Sequence, residues 1–372
     1  MKLNTNYKIE LEILSPLHIG TDQQNDWTLG IDYVVDRQKL YILNKNLVWR
    51  SLDQISQDRY INFLEKKNLR QLAKFIKEQL DLEKISDHIL PQEDTLSTND
   101  IKALIRDGNG HPYVPGSSIK GAMASAILNQ LHEKYKSGKI SKNIEQDLLG
   151  SFSKNIMRFI RPYDASFNIQ DTEVNIIELL NLYDEGIEWV SDFKDNFFIA
   201  QQNIIPKKQS TFRLSIADGL GKVINRQENI QDKRYLPKYY KQVIKEDPIT
   251  HLFETINAYT LSHIRKEKQF FEEYPNDEAT DSIMAKLNEY EALTQEDNLS
   301  CVLRMAGGSG FHSITGDWRF DDHTSTITVP DRQNMVYNFK NKQREPARYK
   351  SRKVVASFME LMGFVKLRVV KN

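Results

Sequence analysis

The sequence has a single cysteine, Cys301, in 372 residues. No intrachain disulfide can form and no thiolate cluster can hold zinc, so an intracellular, reducing setting fits. Long apolar runs are missing as well. None approaches the about eighteen residues that a bilayer span requires, and no charged segment followed by an apolar core opens the chain. The expectation is a soluble, cytoplasmic protein with no membrane partner. An excess of either charge is also absent, because 51 Lys and Arg balance 51 Asp and Glu. That excludes a chain that is basic throughout, but the charges are unevenly placed. From 340 to 353 nearly every other residue is basic and Glu345 is the only acid, whereas acids outnumber bases from 267 to 297. A neutral total can therefore hide a basic face.

Several motifs are absent too. Gly307, Gly308 and Gly310 fail the G-x-G-x-x-G spacing of dinucleotide sites, and the stretch 115–121 lacks the G-x-x-x-x-G-K-[ST] spacing of a nucleoside triphosphate cradle. Ser309, Gly310 and His312 form no nucleophile elbow. The eight histidines show no metal-ligand spacing, and no short repeat or low-complexity tract occurs. No cofactor or metal is called for.

What is present centres on Pro115-Gly116-Ser117-Ser118-Ile119-Lys120-Gly121. Pro115 fixes φ, Gly116 allows a reversal, and Ser117 or Ser118 can cap the first amides of a helix. Ile119, Met123, Ile127 and Leu131 then recur every fourth residue, which predicts a packed helix over 117–135. Lys120 sits at the positive end of that helix, where a cation loses roughly 0.3 to 1 kcal/mol. Two readings stay open: an anion site, phosphate being the common biological anion, or a capped helix whose lysine reaches into water.

Around this stretch, 7–14 alternates as a half-buried strand, and 31–35 with 40–43 reads as a hairpin on the same sheet edge. Residues 47–90 have helical character and read as an insertion. Strands are expected at 156–160, 197–199, 212–216, 302–305, 324–329 and 364–370, with an irregular or loosely helical insertion between the first two. A helix is expected over 250–271, with His251, Thr255, Tyr259 and His263 on one face. Strand, helix, strand, strand, helix, strand is the ferredoxin-like (RRM-like) order, giving an α+β class. The expected division is an N-terminal domain over 1–245, with a helical insertion at about 46–98, and a C-terminal α+β part over 246–372 with an acidic helical segment and a basic tail.

The octapeptide 114–121 closely resembles the glycine and lysine motif of RAMP proteins, the ferredoxin-like RNA-binding subunits of CRISPR effector complexes. Leu14-Ser15-Pro16-Leu17-His18-Ile19-Gly20 is similar to the family's first strand and following loop. Ala306-Gly307-Gly308-Ser309-Gly310-Phe311 is similar to a later glycine-rich turn. Residues 158–166 and 361–367 resemble the strand after the helix and the family's C-terminal ending. Among RAMP proteins, the length, the Asp32-Tyr33-Val34-Val35 hairpin and the 363–367 ending are most similar to the type III-A Csm complex subunit that caps the 3′ side of the crRNA. The resemblance implies a non-catalytic subunit that binds crRNA, abuts a neighbouring RAMP backbone subunit, meets target RNA, and supports crRNA maturation and complex assembly.

The same resemblance nominates site residues. Some relatives are ribonucleases with an N-terminal histidine, which points to His18. Its apolar neighbours Leu17 and Ile19 favour a structural role instead. In target-cutting backbone subunits an acid in this loop carries a metal-dependent cut, which points to Asp22 or Asp26 against the plainer reading of solvated loop acids. A stand-alone RAMP endoribonuclease is the third reading. For RNA binding the candidates are Gly116, Ser117, Ser118, Lys120 and Gly121, then Arg158 and Arg161, Lys207 and Lys208, and Gly307, Gly308, Ser309 and Gly310. Arg348, Lys350, Arg352 and Lys353 complete the set. Tyr113, Phe311, Tyr349 and Phe364 are the aromatic residues expected to stack on bases.

Overall fold

The structure, a computed structural model, describes residues 4–21, 25–92, 96, 98–135, 144–182, 187–190, 198–219, 237–315, 335–338, 342–346 and 351–370. The strand expected at 324–329 lies outside these residues. Among the described residues no helix is long and apolar enough to cross a membrane.

The first strand, Thr5–Ile13, turns Ile9, Leu11 and Ile13 into the core, as its alternation requires. It lies at the centre of a five-stranded sheet ordered Ser300–Arg304, Phe364–Val369, Thr5–Ile13, Gln209–Ile216, Ile160–Pro162. Every ladder in this sheet is antiparallel. Two helices cover one face. The motif helix, Gly116–Tyr135, buries Ile119, Met123, Ile127 and Leu131, the stripe read from the sequence. The long helix, Pro248–Glu273, packs against it and against Ser300–Arg304. Its start follows from Asp247, whose carboxylate accepts from the Thr250 amide, and from Pro248 in the first turn, where no amide is needed.

On one side the first strand pairs with Phe364–Val369, and Ser300–Arg304 lies outside that strand at one edge of the sheet. Residues 156–160 differ from the expected strand. Ile156–Phe159 is a 3-10 turn, set by the Asn155 side chain accepting from the Met157 amide at 2.8 Å, and pairing begins only at Ile160.

A second sheet runs Glu360–Leu361, Ser351–Val355, Thr172–Leu182, Phe198–Ile204, Asp100–Lys102, Trp27–Thr28, with Ile187–Trp189 added against Thr172–Leu182. The eleven residues Thr172–Leu182 stand where an irregular insertion was expected. The strand buries side chains on both faces, Ile176 beside Val174 and Ala200 and Ile177 beside Val355 and Met362, so its run of Ile176, Ile177, Leu179 and Leu180 lacks the alternation of a half-exposed strand. Residues on both sides of 245 contribute to each of these two sheets.

The hairpin is placed differently from the expectation. Tyr33–Asp36 and Lys39–Leu43 pair with each other and with Ser86–Pro91, away from the central sheet. Arg37 and Gln38 both take positive φ, 45° and 63°, as a two-residue hairpin turn of right-handed twist requires. Helices Lys45–Ser51, Gln54–Glu65 and Leu69–Gln79 join this small sheet. Together they bury their own core of Val34, Leu43, Leu72, Phe75 and Ile76. The insertion is therefore α+β and includes the hairpin.

Candidate RNA-binding site

The motif helix begins hard against the edge strand. A Cβ on Gly116 would overlap the Pro162 carbonyl, so this glycine serves close packing of backbone on backbone. Its amide donates to Asp164 Oδ1 at 2.7 Å, while the Ser118 and Ile119 amides donate to the Pro115 carbonyl. The cap is thus Asp164, brought in from the edge strand's continuation, where the sequence pointed to Ser117 or Ser118. Ser117 and Gly121 are exposed, Ser118 is half-buried, and a Cβ on Gly121 would meet nothing within 4 Å. Of the two motif glycines, Gly121 faces open space.

Lys120 is half-buried on the same turn. Burial, and then the Arg161 guanidinium, hold its ammonium below the usual lysine range. Arg161 lies on the edge strand with its Nε donating to the Arg158 carbonyl at 3.0 Å, and Arg158 in turn donates to the Ser153 carbonyl. Lys120, Arg158 and Arg161 form no ion pair among the described residues. Two residues were not singled out from the sequence. Tyr163 and Arg213 face each other where the edge strand ends, with the guanidinium 3.9 Å from the ring centroid. Arg213 alternates with the core residues Phe212 and Leu214, which places it on the sheet's other face. That alternation was the available signal.

The other candidates lie elsewhere. Arg161 pairs opposite Ser215, beyond which stands Asn6, whereas the Lys207 amide bonds the Ile13 carbonyl. The seven-residue separation along the first strand puts these ends roughly 23 Å apart. Lys208 pairs with Asp171 at 3.0 Å. The glycine turn is packed against the loop after the first strand. The Gly307 amide donates to the His18 carbonyl at 2.8 Å, Ser309 is fully buried with Oγ on the Ala306 carbonyl, and a Cβ on Gly308 would strike Met362 Sδ. Gly310 alone in that turn has open space around its Cα. These contacts tie 15–18, 305–309 and 362–364 together; Ser309 is buried and so leaves the candidate RNA surface, while Gly307 and Gly308 are half-buried.

Arg352 is a further correction. It is 5% exposed, its Nε donates to Glu267 Oε2 at 2.8 Å, and its guanidinium lies over the Phe270 ring. Arg304 stands 3.9 Å from the same carboxylate and donates to His263 Nε2 at 2.8 Å. Burial alone would raise the Glu267 carboxyl, but Arg352 and Arg304 outweigh it and hold it down at about 2. The arginine is spent inside the fold. Lys353 is half-buried near His18, and Arg348 and Lys350 lie outside the described residues. Of the expected stacking aromatics, Phe364 is fully buried against Tyr290, with ring centroids 4.5 Å apart, and Tyr349 lies outside the described residues.

The residues nominated for catalysis are engaged. His18 is buried, its Nδ1 faces the Gln202 carbonyl at 2.7 Å and so carries the proton, and burial lowers its pKa. Asp26 accepts from Lys102 Nζ at 2.5 Å and from the Ala103 amide at 3.3 Å. Asp22 lies outside the described residues. Among the described residues no three His, Cys, Asp or Glu side chains gather where they could hold a metal ion.

The chain is 25% identical over 138 residues to CRISPR system Cms protein Csm5 of Streptococcus thermophilus, a match covering 33% of this chain and 38% of that one. It is 26% identical over 135 residues to the protein of the same name from Methanocaldococcus jannaschii, covering 34% and 31%. The matched segment spans about a third of each relative's length. A chain in the cryo-EM structure of a Csm-crRNA-target RNA ternary complex of a type III-A CRISPR-Cas system superposes with TM-score 0.67 at 16% identity, covering 98% of this chain and 100% of that one. The crystal structure of T.onnurineus Csm5 superposes with TM-score 0.60 at 16% identity, covering 97% and 100%. These likenesses carry the fold. The sequence pattern of the RAMP superfamily matches residues 10–320, well over half of the molecule, and the chain belongs to that superfamily.

Proposed function

We propose that this chain is a crRNA-binding subunit of a type III-A CRISPR-Cas (Csm) complex, seated at the 3′ side of the guide beside a backbone RAMP subunit and acting in assembly and crRNA maturation without cutting RNA itself. The observation that carries the reading is Lys120 near the start of the motif helix with Arg161 acting on it, and Arg158 joined to Arg161 through its carbonyl, none of them paired with a carboxylate among the described residues. Neighbouring cations without a paired carboxylate favour a polyanion, and single-stranded RNA supplies a run of phosphates. The full-length likeness to a chain of a Csm-crRNA-target RNA complex supports the same setting. The central sheet fits a ferredoxin-like plan in which Phe364–Val369 takes the fourth strand's place and Ser300–Arg304 is an added edge. His18 and Asp26, both engaged within the fold, fit a binding role better than a cutting one.

Affinity capture of the tagged protein from its host, with sequencing of bound RNA and protein identification in the same pellet, tests this. CRISPR guides protected near their 3′ ends, with the tagged chain once per complex, are expected. A pellet without guides, or several copies per guide, overturns the assignment.

A further inference from the structure

We propose that Tyr163 and Arg213 form a stacking platform for one unpaired nucleobase, set beside the phosphate-facing Lys120 and Arg161; this rests on the RNA-binding reading above. The Arg213 guanidinium lies 3.9 Å from the Tyr163 ring centroid, and Tyr163 is 45% exposed, with Arg213 exposed beside it. The Tyr163 amide donates to the Arg213 carbonyl at 2.9 Å, so the backbone ladder fixes the two residues side by side. No carboxylate pairs with Arg213 among the described residues. A planar, weakly hydrated guanidinium held over a ring presents a flat surface that matches the face of a base.

The platform also has a fixed relation to the cations. Tyr163 directly follows Pro162, the residue against which Gly116 packs, and Arg161 precedes it by two positions on the edge strand. A small anion would satisfy Lys120 and Arg161, but it would leave the stacked pair without a role. An RNA strand engages both, with its phosphates on Lys120 and Arg161 and one splayed base on the platform. Asp164, exposed next to Tyr163, has its Oδ1 engaged by the Gly116 amide.

The experiment is anisotropy titration of the full chain with unstructured single-stranded RNA, natural or carrying abasic sites scanned along it. Tyr163→Leu is expected to weaken binding of the natural RNA roughly five- to a hundredfold, with Tyr163→Phe close to wild type. An abasic site at the contacted position is expected to cost the wild type the same factor and Tyr163→Leu nothing further. Thermal melting of each variant checks that it folds. Should Tyr163→Leu bind like the wild type while Lys120→Glu/Arg161→Glu binds weakly, the platform is refuted and the RNA reading stands. Should neither set weaken binding, both fall. Abasic sites that cost both proteins equally, or polyglutamate competing as well as RNA, also overturn the platform.

Discussion

One methyl group separates glycine from alanine, and at the two motif glycines it has opposite expected effects. At Gly116 the added Cβ overlaps the Pro162 carbonyl, so Gly116→Ala should cost about 1 to 3 kcal/mol in denaturant unfolding. At Gly121 the Cβ meets open space inside a helix, so Gly121→Ala should stabilise by about 1 kcal/mol. If RNA approaches over Gly121, that more stable variant binds RNA less well. Equal effects at the two sites would contradict the packing described. At Arg352 the expected loss is in stability. Arg352→Met leaves the Glu267 carboxylate buried with one arginine, and about 3 to 5 kcal/mol should be lost while the folded fraction keeps its RNA affinity. Lower affinity at unchanged stability would return Arg352 to the RNA surface. Nothing in the basic run 340–353 marked this arginine as different from its neighbours; its partner Glu267 is 85 residues away in sequence.

At the scale of elements, the short strand Glu360–Leu361 carries an acid into the core beneath the helix Thr280–Leu293. Glu360 is 3% exposed, accepts from the Tyr290 hydroxyl at 3.4 Å, and burial lifts its carboxyl from 4.5 to about 7. Between those values the folded chain holds a proton that the unfolded chain has released. Stability therefore falls as pH rises from 4.5 towards 7. Glu360→Gln should remove that slope and exceed the wild type in stability at pH 8, as read by urea midpoints from pH 4.5 to 8; an unchanged slope would show that Glu360 is not its source. The motif helix was legible because its apolar stripe, proline and glycine are local signals. Thr172–Leu182 was not, since a strand that buries Ile176 and Ile177 on opposite faces shows no period of two. The hairpin itself was legible from 31–43, but its partner Ser86–Pro91 lies beyond three helices, which displaced the hairpin from the central sheet to the insertion.

For the whole molecule, the α+β class and the glycine and lysine motif could be read from sequence, and the sheet order could not. Phe364–Val369 reaches the first strand from the far end of the chain, a pairing set by tertiary closure. The same closure locks the glycine turn against 15–18 and 362–364, and leaves Arg161 beside the opposite end of the first strand. The functional reading rests on the surface around it. Its most direct test is the salt dependence of crRNA affinity for the wild type and for Lys120→Glu/Arg161→Glu, both folded by thermal melting. If both cations contact phosphates, the reversal weakens binding at low salt and flattens the log–log slope by about 1.4, at about 0.7 per phosphate on a single strand. An unchanged affinity and slope would contradict it.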